Sequence, residues 1–181
     1  FRTIFNILGP LTNPAHPTHG VIGAYSQHTA QLMAAALAKL PIGRFYVVHT
    51  PRGTDFKPVS STSTGWDEAT TAAPFILHTV TPNTLHTQTL DPRTLPLSPC
   101  VPADLRGGDA QTNAAIITRI LSNQLHPARS TIVLNAALAL HSANLAPSLH
   151  HACELADAAI TDGRAATTLR SLASFNTQAH P

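Results

Sequence analysis

The chain has 181 residues, of which 43% are hydrophobic and 11% charged, with a formal net charge of +2. This is too apolar for a disordered segment and too weakly charged for a heavily solvated surface protein, and the length fits one domain or a large part of one. The basic residues are scattered without a Lys/Arg cluster, so no nucleic-acid partner is expected. The two cysteines, Cys100 and Cys153, lie far apart and form neither a CxxC pair nor a disulfide framework, which points to a reducing, cytoplasmic setting. No apolar run approaches the roughly 20 residues of a membrane helix, and the first residues lack a basic-then-apolar signal pattern. The sequence opens on Phe1-Arg2-Thr3-Ile4 with no initiator Met. It is therefore expected to be a piece of a longer protein.

Residues 1–19 are rich in turn signals, with Gly9-Pro10 and Asn13-Pro14 inside an apolar stretch. The run from Gly20 to Tyr25 reads as a buried strand, and Ser26 caps a helix predicted to reach about Leu40. A second buried strand is predicted from Phe45 to His49. Strand, helix and strand within about 30 residues make a βαβ unit and a parallel sheet. Residues 51–64, rich in Pro, Ser and Thr, read as an exposed loop. Phe75 to Val80 is a further strand, and the Pro- and Gly-rich stretch 91–108 a long ordered loop. The remainder is helical. Asp109 is an N-cap, Ile132 to Leu140 a buried helix, Pro147 the start and Gly163 the stop of the next helix. A last short helix ends near Phe175, and 176–181 form a tail.

The opening stretch, Arg2-Thr3-Ile4-Phe5-Asn6-Ile7-Leu8-Gly9-Pro10-Leu11-Thr12-Asn13-Pro14, resembles the corresponding stretch of the anthranilate phosphoribosyltransferases almost residue for residue. Four more segments follow in that family's order: Val21-Ile22-Gly23-Ala24-Tyr25, Val47-Val48-His49, Leu105-Arg106-Gly107-Gly108-Asp109-Ala110 with Asn113, and Leu134-Asn135-Ala136-Ala137. The resemblance implies an α/β fold. It would be the incomplete large domain of the nucleoside phosphorylase/phosphoribosyltransferase type, with a central, mostly parallel sheet flanked by helices. Residues 1–175 would be the C-terminal portion of the α/β glycosyltransferase domain, with 51–64 as an inserted loop.

The implied activity transfers the phosphoribosyl group of phosphoribosyl pyrophosphate (PRPP) to the amine of anthranilate. The products are N-(5-phosphoribosyl)anthranilate and pyrophosphate, in tryptophan biosynthesis. The implied cofactor is Mg²⁺ and the implied assembly of the full-length protein a homodimer. The family's glycine-rich PRPP loop is not among these residues, so the 181 residues alone are expected to be inactive. Two other readings stand beside this one: a pyrimidine nucleoside phosphorylase, which shares the fold, and a non-catalytic paralogue binding a ligand or nucleic acid.

The family carries an Asp-Glu pair that offers hard oxygen ligands to Mg²⁺. Two places resemble it. Gly65-Trp66-Asp67-Glu68 keeps the motif intact, displaced by about a dozen residues. Gly53-Thr54-Asp55-Phe56 sits at the usual distance from His49 but has Phe where Glu is expected. Asp67 and Glu68 are the preferred metal ligands, with Asp55 as the alternative. Gly9 and Pro10 resemble the loop lining the family's anthranilate tunnel, where glycine admits a flat ligand and proline stiffens the loop. No catalytic side chain is assigned. Asn135, inside an apolar helix, is expected to make a structural hydrogen bond. His150 and His151 are read as surface residues, because helix neighbours point about 100° apart.

Overall fold

A computed structural model describes residues 9–51 and 65–179, with side chains up to residue 175. Residues 9–11 are helical and lead into a turn closed by the Ala15 amide donating to Asn13 Oδ1 (2.9 Å). Strand β1 (His19–Gly23) then enters the core. Ser26 caps helix α1 (Gln27–Leu37), its hydroxyl accepting from the Thr29 amide at 3.1 Å. Helix α1 therefore stops three residues short of the predicted Leu40. Strand β2 (Arg44–Pro51) runs parallel to β1, with His19 beside Arg44 and Gly23 beside Val48. The predicted βαβ unit is thus present.

The rest of the sheet is antiparallel. The two-residue strand β3 (Gly65–Trp66) pairs with the end of β2, β4 (Phe75–Thr81) with its length, and β5 (Thr84–Leu90) with β4. The order is β1-β2-β4-β5, with β3 off this path on β2. The sheet of the described residues is therefore mixed, with one parallel pair, where a mostly parallel sheet was expected. The physical reason lies in the connection at Pro82-Asn83. Proline presets the first turn position and Asn83 adopts φ 57°, which closes a tight hairpin and leaves no room for a crossover helix.

Two short 3₁₀ turns (Pro92–Thr94 and Pro102–Leu105) punctuate the predicted long loop. Four helices follow: α2 (Ala110–Leu121), α3 (Arg129–Ser142), α4 (Leu149–Thr161) and α5 (Arg164–Ala179). Asp109 caps α2 as expected, accepting from the Thr112 amide at 2.8 Å. Ser148, just after Pro147, is the N-cap of α4. Gly163 follows that helix at φ 79°, a conformation in which glycine carries no side-chain penalty. Helix α5 runs to Ala179, past the predicted end near Phe175.

Alternation along the strands decides the layers. Phe45 and Val47 of β2, with Ile22 and Val80, face α1 through Ala30, Met33, Ala34 and Leu37. Tyr46 and Val48, with Phe75 and Leu77, face α3 through Leu134 and Leu138. Helix α3 is apolar nearly all round because its other side packs under α2 and α4, against Ile120, Cys153 and Ile160. No helix among the described residues is long and apolar enough to cross a membrane.

Candidate functional site

The parallel strands β1 and β2 end side by side, and the chain returns to that end after the segment 52–64. The Gly65 amide donates to the Tyr25 carbonyl at 2.8 Å, which docks β3 beside the end of β1. Asp67 then crosses over Gly23 so closely that a β-carbon on that glycine would fall inside the Asp67 carbonyl group. The Thr50 hydroxyl donates to the Glu68 carbonyl at 2.7 Å. In open α/β sheets the carboxyl end of parallel strands is where ligands bind. Asp67 and Glu68 sit at that end of the βαβ unit.

Both acidic side chains are exposed. Among the described residues neither forms an ion pair, since the ion pairs there involve Asp91, Asp157, Asp162 and Glu154. The Glu68 carboxyl is held above its usual pKa, first by desolvation and second by the charge of Asp67. A carboxylate raised in this way by a neighbouring carboxylate is relieved by a cation. Glu68 also lines a cleft of about 320 Å³ shared with Arg106, Asn113, His126, Ala128 and Thr131. Ala128 and Thr131 belong to the amino end of α3, whose dipole favours negative charge. No group of three or more His, Cys, Asp or Glu side chains gathers among the described residues. Two carboxylates with open positions fit Mg²⁺, which keeps waters and takes substrate phosphate oxygens, better than a metal that demands a closed protein cage. The alternative at Asp55 lies outside the described residues.

The chain after the acidic pair is fixed by α3. The Ala69 amide donates to Asn135 Oδ1 (3.2 Å), and Asn135 Nδ2 donates to the carbonyls of Ala69 (2.7 Å) and Thr131 (2.9 Å). The Thr71 amide donates to Thr131 Oγ1 at 3.2 Å. The structural hydrogen bond expected of Asn135 is present. Its partner is the backbone next to the candidate metal ligands. Thr50 and Thr131 were not singled out from the sequence, and Gly23 stood there only as part of the Val21–Tyr25 segment. For Thr50 a signal existed, because alternation puts it on the same face as Tyr46 and Val48.

The family model for the glycosyl transferase family, a/b domain, matches residues 1–166. The chain belongs to this family. The anthranilate phosphoribosyltransferase of Lacticaseibacillus paracasei is 40% identical over 176 residues, which are 97% of this chain and 48% of that protein. The crystal structure of anthranilate phosphoribosyltransferase from Thermus thermophilus superposes with a TM-score of 0.78 at 28% identity, covering 97% of this chain and 48% of that one. The Saccharomyces cerevisiae enzyme in complex with PRPP and Mg shares the fold, with a TM-score of 0.76 at 23% identity over 94% of this chain and 46% of that one. The chain spans about half the length of the curated relatives it matches.

In this glycosyl transferase a/b domain the predicted site residues fall in two places. Gly9 and Pro10 are exposed. Pro10 lines a separate groove of about 470 Å³ with Leu11, Leu37, Leu40, Ile42 and Phe45. Phe45 is the second residue of β2 and Thr50 the last but one, so five residues, about 17 Å of strand, separate that groove from the Glu68 carbonyl. The described residues do not bring Gly9 and Pro10 together with Asp67 and Glu68. Gly107, Gly108 and Asp109 form a structural turn, in which Asn113 accepts from the Gly108 amide and donates to its carbonyl, both at 2.9 Å. His150 and His151 are exposed and pair with Glu154.

Proposed function

We propose that this a/b domain belongs to an anthranilate phosphoribosyltransferase and that Asp67 and Glu68 hold Mg²⁺ for the transfer of phosphoribose from PRPP to anthranilate. The observation that carries the reading is the adjacent carboxylate pair at the carboxyl end of β1 and β2, without an ion-pair partner among the described residues, in a chain 40% identical to a protein of that name. When bound, the cation would act as Lewis acid and template for the departing pyrophosphate. The protein's part is placement. Gly23, Thr50 and Asn135 fix the backbone on both sides of the carboxylates, so the charge is set before substrate arrives, and preorganised charge costs no reorganisation as pyrophosphate leaves. Gly9 and Pro10 are proposed to contact anthranilate. The reaction is likewise proposed to be cytoplasmic, and the full-length protein a homodimer.

The test is the PRPP- and Mg²⁺-dependent loss of anthranilate fluorescence in the protein that contains this chain. Asp67→Ala should abolish the metal dependence and Asp55→Ala should leave it. A protein inert with all substrates present would favour a non-catalytic paralogue. Phosphate-dependent cleavage of a pyrimidine nucleoside would favour the phosphorylase.

A further inference from the structure

Asn135 sits one helical turn beyond Thr131 on α3, and the two side chains grip Ala69 and Thr71, which are one strand repeat apart. Four helical residues rise about 6 Å, which separates the two grips along the helix axis. The segment 69–71 therefore runs opposite to the helix along its face, with the Asn135 carboxamide serving as a backbone amide. That carboxamide uses its acceptor and both donors in this position, two bonds to Ala69 and one to the carbonyl four residues back on its own helix. A carboxamide is needed here, because only it offers an acceptor and two donors together at this length.

The grip begins at the residue directly after Glu68, whose own carbonyl is held by Thr50. Thr50 and Asn135 thus hold the two polar ends of the peptide that joins Glu68 to Ala69, while the Glu68 carboxylate forms no ion pair among the described residues. Resting on the metal reading of Asp67 and Glu68, we infer that Asn135 is a positioning residue for the divalent cation: it sets the direction of the Glu68 carboxylate through the Ala69 backbone without touching the ion. Groups that orient metal ligands change affinity by about 10–100-fold when removed.

Manganese binding to the protein that contains this chain, followed by the loss of the free Mn²⁺ electron paramagnetic resonance signal, tests this without turnover. Three variants are compared: Asn135→Leu, Asn135→Ser and Asp67→Asn. Leucine keeps the branched shape of asparagine, at a larger volume, but makes no hydrogen bond. Serine can still bond the carbonyl four residues back but cannot reach Ala69, so it keeps the helix intact and guards against a leucine variant that fails to fold. Circular dichroism and thermal melting establish the folded fraction. The expected result is Mn²⁺ binding at least about tenfold weaker in the folded Asn135 variants and lost in Asp67→Asn. A purely structural asparagine would lower the melting temperature and leave the affinity of the folded protein unchanged. Wild-type affinity in both folded Asn135 variants, with binding lost in Asp67→Asn, overturns the inference alone. Binding that survives Asp67→Asn removes the metal reading and the inference together.

Discussion

Gly23 and Asp67 meet backbone to backbone, with no room between them for a β-carbon. The contact joins the last residue of β1 to the first candidate metal ligand across 44 positions of sequence (67 − 23). Gly23→Ala must therefore push the Asp67 peptide away from the sheet edge or bend the end of β1. Overpacking of this kind costs about 1–3 kcal/mol. The variant is expected to lower the melting temperature and to weaken Mn²⁺ binding together. An alanine variant with unchanged melting and unchanged Mn²⁺ affinity would show that the crossing is looser than described.

Glu68→Gln should separate stability from binding. Desolvation and the Asp67 charge raise the Glu68 pKa in the folded state. The folded chain therefore holds this proton more tightly than the unfolded one. That contribution to stability is complete below the unfolded value of 4.5 and is lost as pH rises through the raised folded value. At neutral pH in a chelator the ionised Glu68 is a burden, so glutamine should raise the melting temperature while weakening Mn²⁺ binding. A lower melting temperature for Glu68→Gln in chelator would contradict this. Functional sites commonly carry this kind of local instability.

His49 and His78 bear on acid stability. Both are 1% exposed, and alternation from Val47 and Val80 places both on the α1 face of the sheet. Burial lowers the pKa of each, and the neighbouring His49 lowers that of His78 further. The unfolded chain, with histidines near 6.5, therefore takes up protons first. The stabilisation is complete above that value and is lost as pH falls through it toward the depressed folded values. His78 Nδ1 is bonded to Thr87 Oγ1 at 2.8 Å, whereas its buried Nε2 has no hydrogen-bond partner among the described residues. His78→Leu removes that unpaired atom. It should be no less stable than wild type near neutrality, and its melting temperature should fall less between about pH 7.5 and about pH 5.5. Equal pH slopes in the two proteins would exclude His78 as a source of acid sensitivity.

Leu134 and Leu125 set the scale for packing. Leu134 is fully buried between α3 and the sheet, with Phe75, Leu77 and Leu138. Leu125 is 89% exposed. Leu134→Ala should cost about 2–5 kcal/mol, and each kcal/mol lowers the melting temperature by roughly 2–4 °C at this chain length. Leu125→Ala should stay within about 0.5 kcal/mol of wild type. Chemical denaturation of both variants checks the contrast, and comparable losses would mean that α3 is not seated on the sheet as described.

The sequence by itself determined the elements whose signal is local. β1, β2 and β4 are apolar runs bounded by turn residues, and α1 and α2 are announced by the caps Ser26 and Asp109. Each depends on residues within a few positions of one another, so periodicity and capping suffice to find it. β5 was not legible as a strand, because Thr84 to Thr89 are exposed on both faces and carry no apolar stripe. Only its pairing with β4 makes it a strand, and that pairing in turn makes the sheet mixed. Asp67 and Glu68 were legible only through resemblance, since an Asp-Glu dipeptide has no periodicity to set it apart from a solvated acidic pair. The tertiary structure alone decided what surrounds them. Gly23, Thr50 and Asn135 come from three different elements, and the bond from Asn135 to Ala69 spans 66 residues. Nothing in a local stretch of sequence encodes such a contact. It exists because the sheet and α3 bury opposite sides of one core and so bring their polar edges to the same place.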